Sequence, residues 1–416
     1  MQNIYYESSN YVAPVLVEFV RWLLKEADRR RIKVLYFLAR DGFVLKKIAE
    51  KICREQSIKI ECRYLYCSRL ALRIPSYHLI GDEAYDMIFI GGYHVMIKSF
   101  FERAGIPEDK YEIILREAGF SQNVDIAREL SKPEIRIVRE KLLLSDTFKR
   151  SIIDISVQNY NLAIGYFNQE KLLNQEIIAI VDSGWTGSMQ RSLRQLLERA
   201  GYQGKLVGFY FGLFEEPKDT KDGEYLSWYF SKRTAKNNKI LFCNNLFECI
   251  LSAPHGMTLR YSKVGEIYKP VLNSPPNNSI LSLVNMQIEG ILDGVDKIIR
   301  SSEWSTKETC AKILHRLMAH PTRTEVELYG AFMFCDDSTE KYHYSLVSFE
   351  QTNLLNRHII ISRIYRRIFK RRQNSSNTEL FWVFGNIALI RNPILRVWYW
   401  INIYIWEWMK YTVNSI

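Results

Sequence analysis

Two apolar runs limit what this chain can fold into. Ile32-Lys33-Val34-Leu35-Tyr36-Phe37-Leu38 leads directly into Ala39-Arg40-Asp41-Gly42. Glu176-Ile177-Ile178-Ala179-Ile180-Val181 leads into Asp182-Ser183-Gly184-Trp185-Thr186-Gly187-Ser188. Runs that are mostly apolar and do not alternate mark strands buried on both faces, as in a parallel sheet covered by helices. Helical periodicity follows each break: Val44, Leu45, Ile48 and Ile52 share one face, and residues 188–200 form a second helix that ends at Gly201. Both breaks are therefore predicted to be strand-to-helix loops. In open parallel sheets, ligands bind outside the carboxyl ends of the strands, which makes both loops candidates for the functional site.

The surrounding pattern extends the α/β reading. Val15, Leu16, Phe19, Val20, Leu23 and Leu24 predict a helix over residues 14–30 with Pro14 in its first turn. Residues 62–67 and 205–211 read as further strands, and the first of these completes a right-handed βαβ unit. Residues 79–174 read as a large, mainly helical insertion, with one long helix over residues 151–173. Residues 280–333 return to helical periods, and turn-rich segments lie at residues 215–223 and 273–278. Residues 1–350 are expected to form the α/β domain, and residues 351–416 a helical C-terminal region. The seven cysteines are scattered, with none in C-x-x-C spacing, so neither a zinc site nor a disulfide framework is expected and a reducing cytoplasm fits. Residues 1–10 are polar and carry no apolar signal segment.

Each loop carries specific chemistry. In the second, Gly184 and Gly187 permit tight turns, Thr186 and Ser188 add hydroxyls, and the backbone N–H groups at a helix start form an anion site. Asp182 is placed to hold sugar hydroxyls or a metal. Trp185 is read as lining a pocket, or else as a core aromatic folded over the sheet. In the first loop, the Arg40 guanidinium matches phosphate oxygens, Asp41 is a candidate base or metal ligand, and Gly42 opens the helix. Ser68 and Arg69 follow the second strand and point to the same crevice. Farther along, Glu248 precedes the Pro254-His255-Gly256 turn. Glu248 is a candidate general base, with a structural ion pair as its plainer reading, and His255 is a candidate substrate contact.

Four segments in order resemble the C-terminal module of dual-domain ribofuranosyltransferases from bacterial polysaccharide gene clusters. They are Phe37-Leu38-Ala39-Arg40-Asp41-Gly42; Tyr64-Leu65-Tyr66-Cys67-Ser68-Arg69; Val181-Asp182-Ser183-Gly184-Trp185-Thr186-Gly187-Ser188-Met189-Gln190; and Glu248-Cys249-Ile250-Leu251-Ser252-Ala253-Pro254-His255-Gly256. The resemblance implies phosphoribosyltransferase-like loops. It also implies transfer of ribose 5-phosphate from 5-phosphoribosyl 1-diphosphate (PRPP), with Mg2+, to a hydroxyl of a lipid-linked glycan in surface polysaccharide synthesis. Arg40, Arg69 and the metal would meet the diphosphate, Asp182 the ribose hydroxyls or the metal, and residues 186–188 the 5-phosphate. Glu248 or Asp41 would take the acceptor proton. That family usually carries a haloacid dehalogenase-type phosphatase domain, whose strand ends D-x-D. Here Ala39-Arg40-Asp41-Gly42-Phe43 has no second acid, so a separate phosphatase acting in trans is expected, or else the phosphate stays on the product. The competing readings are a phosphatase relative, a sugar-nucleotide transferase and a non-catalytic scaffold of polysaccharide assembly.

The net charge of +11 is concentrated at one end. Residues 351–416 hold ten Lys/Arg and two Glu, or +8, which leaves +3 for the first 350 residues. A nucleic-acid footprint would lie across the fold, so no nucleic-acid partner is expected. Arg357, Arg363, Arg366, Arg367, Lys370, Arg371 and Arg372 form a basic run. Phe381, Trp382, Phe384, Trp398, Tyr399, Trp400, Tyr404, Trp406 and Trp408 crowd behind it. Arg391, Arg396 and Glu407 interrupt any bilayer-spanning run. The tail is read as a monotopic anchor on the inner face of the cytoplasmic membrane; its plainer reading is a helical pair packed on the core.

Overall fold

The computed structural model describes residues 3–92, 94–215, 223–275, 278–335, 343–348, 355–356, 358–360, 362–363 and 380–413. After a short helical start (Ile4–Glu7, then a π-helical turn at Ser8–Val12), α1 (Ala13–Arg29) carries a fully buried stripe from Val15 to Ala27. It leads to β1 (Val34–Leu38), α2 (Gly42–Glu55) and β2 (Glu61–Leu65). α3 (Arg69–Ile80) and α4 (Asp146–Gln169) bracket a region of shorter helices at Glu83–Ile88, Ile97–Arg103, Tyr111–Glu117 and Lys132–Leu142. Then come β3 (Ile177–Trp185), α5 (Ser188–Arg199), β4 (Lys205–Leu213), β5 (Glu224–Phe230) and α6 (Asn244–Ile250). A hairpin of β6 (Thr258–Val264) and β7 (Ile267–Leu272) precedes α7 (Asn278–Ser301), α8 (Lys307–Ala319) and a short helix at Arg323–Tyr329. The last long helix is α9 (Pro393–Val413).

The central sheet has five parallel strands in the order β2-β1-β3-β4-β5, so the chain is α/β. Alternation along the strands divides the core. Leu35, Phe37, Ala179 and Val181 face a cluster that includes residues of α1, α2, α6, α7 and α8. Val34, Tyr36, Leu38, Ile178 and Ile180 face a cluster with residues of α4 and α5. Burial on both faces accounts for strands written almost entirely in large apolar residues. A third cluster, from Leu70 to Ile152 with Met257 added, holds the shorter helices together.

Several expectations change. β3 does not stop at Val181. It runs on to Trp185 because Asp182, Gly184 and Trp185 pair with Tyr210, Gly212 and Leu213 of β4, so four residues read as loop are strand. The long helix is Asp146–Gln169 rather than residues 151–173. In the mainly helical stretch, residues 118–131 hold no helix, and their one ladder contact is the Met96–Glu129 bridge. The β6–β7 hairpin, turning at Gly265 in the left-handed region (φ 60°), is a further element.

In the tail, Arg357, Arg366, Arg367, Lys370, Arg371 and Arg372 lie outside the described residues, as do the 350/351 boundary and residues 216–222 and 276–277 of the turn-rich segments. Part of the aromatic crowd is core. Trp382 is fully buried and its Nε1 donates to Met318 O at 2.8 Å; Phe384, Tyr399 and Ile403 join the main cluster. No helix among the described residues is long and apolar enough to cross a membrane.

Candidate functional site

The strand order reverses direction at β1: β2 lies on one side of it and β3 on the other. The gap outside the carboxyl ends of β1 and β3 is therefore the topological switch point, where open sheets bind ligands. Residues 39–42 leave β1 there, and Asp182 to Ser188 carry β3 into α5. The two arms are joined directly, because Ser183 Oγ donates a hydrogen bond to Asp41 Oδ2.

Each arm has a local reason for its shape. Gly42 begins α2 against the end of β1, where a Cβ would lie 2.7–2.8 Å from Phe37 atoms. Gly42 is thus buried, and the lack of a side chain serves close packing there. On the other arm, Gly184 (φ 124°) lies so close to β4 that a Cβ would sit 2.0 Å from Gly212 O. Trp185 is itself left-handed, with φ 82°, a conformation that costs a bulky residue on the order of 1–3 kcal/mol. Its neighbours hold it there. Trp185 O accepts from the amides of Phe214 (2.8 Å) and Glu215 (3.2 Å), its Nε1 donates to Glu248 Oε1 at 2.5 Å, and its ring packs on Phe242, Phe214 and Phe247. The ring is 7% exposed, so Trp185 does not line an open pocket, and its part in the site is to orient Glu248. Gly187, left-handed at φ 65°, is the N-cap of α5, and Ser188 is its first helical residue instead of the cap. Thr186 is exposed beside it.

Asp41, Asp182 and Glu248 thus meet at one place, with Arg40 and Arg69 beside them. Burial pushes the Asp182 carboxyl up to about 8, with the charge of Asp41 adding to it and Arg69 opposing. Burial likewise pushes Glu248 up to about 7, again with Asp41 adding, while Arg69, the Trp185 hydrogen bond and Arg40 oppose. Asp41 is also raised by burial, against the Ser183 hydrogen bond and both arginines. Carboxyls this close cannot all ionise cheaply, so protons are shared among them near neutrality.

The remaining predicted residues divide. Arg69 opens α3 exposed, within electrostatic reach of all three acids. Ser68 is buried as the N-cap of α3: its Oγ accepts from Ala71 N (3.0 Å) and donates to Thr258 O (2.6 Å), which ties the end of β2 to the hairpin. This is a structural use of a residue expected to meet substrate. His255 sits beside Gly256 O (2.9 Å from Nδ1) and Tyr64 OH (2.8 Å from Nε2), an arrangement that suits the neutral tautomer with the proton on Nδ1.

Three further contributors were not anticipated. Tyr64, Tyr66 and Phe43 form an aromatic wall with His255, with ring centroids 5.0–6.0 Å apart; Tyr64 and Tyr66 were visible as alternate residues of a quoted segment. Buried Gln287 of α7 donates through Nε2 to Cys249 O (3.1 Å) and Ile250 O (2.9 Å), anchoring the helix that carries Glu248. Ser183 bridges the two arms. Among the described residues, no group of three or more His, Cys, Asp or Glu side chains is disposed to hold a metal ion, so the side chains do not form a protein-only cage for the expected Mg2+. No protein-family model matches the chain, and no curated protein matches it.

Proposed function

We propose that this chain is a glycan phosphoribosyltransferase, which moves ribose 5-phosphate from PRPP to a hydroxyl of a lipid-linked glycan. The supporting observation is the convergence at the β1/β3 switch point of two arginines, three interacting carboxyls and a glycine-capped helix start. An acidic cluster alone would repel a diphosphate, and an arginine pair alone would offer no base. The combination suits a reaction that must bind an anion and take up a proton at the same centre.

In this reading Arg40 and Arg69 hold the diphosphate, and the amides of residues 186–188 at the start of α5 hold the 5-phosphate. Asp182 accepts hydrogen bonds from ribose hydroxyls. The bond from the anomeric carbon to the diphosphate oxygen breaks as the bond to the acceptor oxygen forms. Positive charge builds on the ribose ring, where the negative charge shared among the three carboxyls stabilises it, and negative charge builds on the leaving diphosphate, where the arginines do. The acceptor hydroxyl proton passes to Glu248, which Trp185 orients and which titrates near neutrality, as a general base requires; diphosphate leaves. Magnesium would accompany PRPP as its counter-ion, with Asp182 the residue placed to share in holding it. Removal of the 5-phosphate is left to a separate phosphatase.

Calorimetry with Mg-PRPP is the test. Saturable binding by the wild type that weakens at least tenfold in Asp182→Asn is the expected result. A folded wild type that binds no PRPP would overturn the proposal, and turnover of p-nitrophenyl phosphate abolished by Asp41→Asn would favour the phosphatase reading.

A further inference from the structure

α9 has two faces of opposite character. Its inner face is built into the molecule. Tyr399 and Ile403 are buried, Trp400 Nε1 donates to Ala319 O at 3.0 Å, and the Trp400 ring stacks on His320 with centroids 5.0 Å apart. Its outer face exposes Ile394 (78%), Val397 (59%), Trp398 (43%), Ile401 (45%), Ile405 (41%) and Trp408 (44%). Successive members of that set fall three or four residues apart or adjacent. At helical geometry they fill one arc of roughly 100°. Scattered apolar exposure is ordinary, but a continuous stripe along a helix marks an interaction surface.

We propose that this outer face of α9 seats flat on an anionic lipid bilayer. Charge decides between the possible occupants. Arg391 is exposed just before the helix and Arg396 is exposed in its first turn. Glu407, the helix's one acid, already pairs with Arg363 (3.1 Å) and Lys410 (3.7 Å). The last 66 residues carry ten Lys/Arg against two Glu. The exposed arginines at the helix start and the net positive charge of the last 66 residues complement anionic headgroups. Tryptophan at two positions of the stripe suits the headgroup depth. Arg396, Glu407 and Lys410 interrupt the apolar run of the helix, so it lies on the bilayer and does not cross it. The proposal stands independently of the PRPP reading.

The test is co-sedimentation of the full chain with vesicles of phosphatidylcholine alone or mixed with phosphatidylglycerol. It compares wild type with Ile394→Ser/Val397→Ser/Ile401→Ser and with Arg391→Gln/Arg396→Gln. Binding to the mixed vesicles that falls at least about tenfold in the triple variant is expected, together with a several-fold loss in the arginine variant and in high salt. Circular dichroism melts check that both variants fold, and all five positions are exposed. A wild type that ignores phosphatidylglycerol vesicles, a folded triple variant that binds as well as wild type, or equal binding to both vesicle types would overturn the proposal. So would a lipid-free dimer, seen by light scattering, that the triple variant dissolves.

Discussion

At the β1/β3 crevice and along the outer face of α9, the usual partition of side chains fails in opposite senses. In the crevice, carboxyls are withdrawn from water and crowd one another; Asp182 is 8% exposed. On α9, isoleucine, valine and tryptophan stand in water. Folding alone favours neither arrangement, since charges belong outside and large apolar groups inside. The two departures also differ in support. Hydrogen bonds from Ser183 and Trp185 at the end of β3 hold Asp41 and Glu248, while the aliphatic side chains on the outer face of α9 stay exposed and the helix is held mainly through its inner face. Replacing a crevice group should therefore change chemistry and stability, in a direction set by the group, and removing an aliphatic stripe residue should change neither within the isolated molecule.

Substitutions can break or sharpen that contrast. The largest effect is expected for Asp182→Asn, with PRPP-dependent release of diphosphate falling ~100- to 1000-fold while the far-ultraviolet spectrum stays unchanged. Wild-type turnover in this variant would remove Asp182 from the site. Gly184→Ala places a Cβ against Gly212 O at a left-handed φ and should cost roughly 3 kcal/mol in urea unfolding. Trp185→Phe removes a hydrogen bond that lowers the Glu248 pKa. The acid limb of the pH–rate profile should then move above pH 7, with a loss of about tenfold at pH 6.5; an unmoved limb would mean that Glu248 is not the base.

Stability offers a subtler reading. Asp182 titrates at about 8 in the folded chain and at about 3.9 unfolded, so between those values the native state holds the extra proton. The stability this confers is complete below the lower value and is lost as pH rises through the upper one. An asparagine side chain cannot ionise, so Asp182→Asn should gain in Tm relative to wild type by ~2 °C or more between pH 5 and pH 9. A gap that does not change with pH would show that Asp182 stays charged. The smallest effect belongs to the α9 stripe: Ile394→Ser/Val397→Ser/Ile401→Ser should shift unfolding free energy by no more than about 0.5 kcal/mol per site.

Four of the five sheet strands are readable because buried parallel strands leave apolar runs, and β1, β2 and β4 begin and end within about two residues of where the runs do; the edge strand β5 (Glu224–Phe230), with a half-exposed start, carries no such run. β3 was misread at its end. Gly184 looks like a turn residue locally, and only Gly212 on a neighbouring strand shows that it belongs to the ladder. Asp41, Asp182 and Glu248 were visible as polar residues after apolar elements, yet nothing local pairs Ser183 with Asp41 or turns the Trp185 ring inward. Gln287 lies within a helix far from the site in sequence and carried no signal. The β6–β7 hairpin has a local signal, since Gly265-Glu266 separates two runs of strand character. On α9 the outer stripe is plain in the spacing, whereas the inner face is recognisable only beside Ala319 and His320.

The place of β1 in the sheet has a consequence for the order of assembly. Leu35 pairs with Cys62 on one side and with Ala179 on the other. The first partner follows closely along the chain, so β1, α2 and β2 can come together early. The second waits until the whole helical region between α3 and α4 has been made. Until then one edge of β1, with Phe37 and its neighbours, stands open. Such distant pairing slows folding and leaves a sticky intermediate. During synthesis, the most aggregation-prone interval for this protein should fall between emergence of β2 and emergence of β3, and the switch-point crevice can form only when that interval closes.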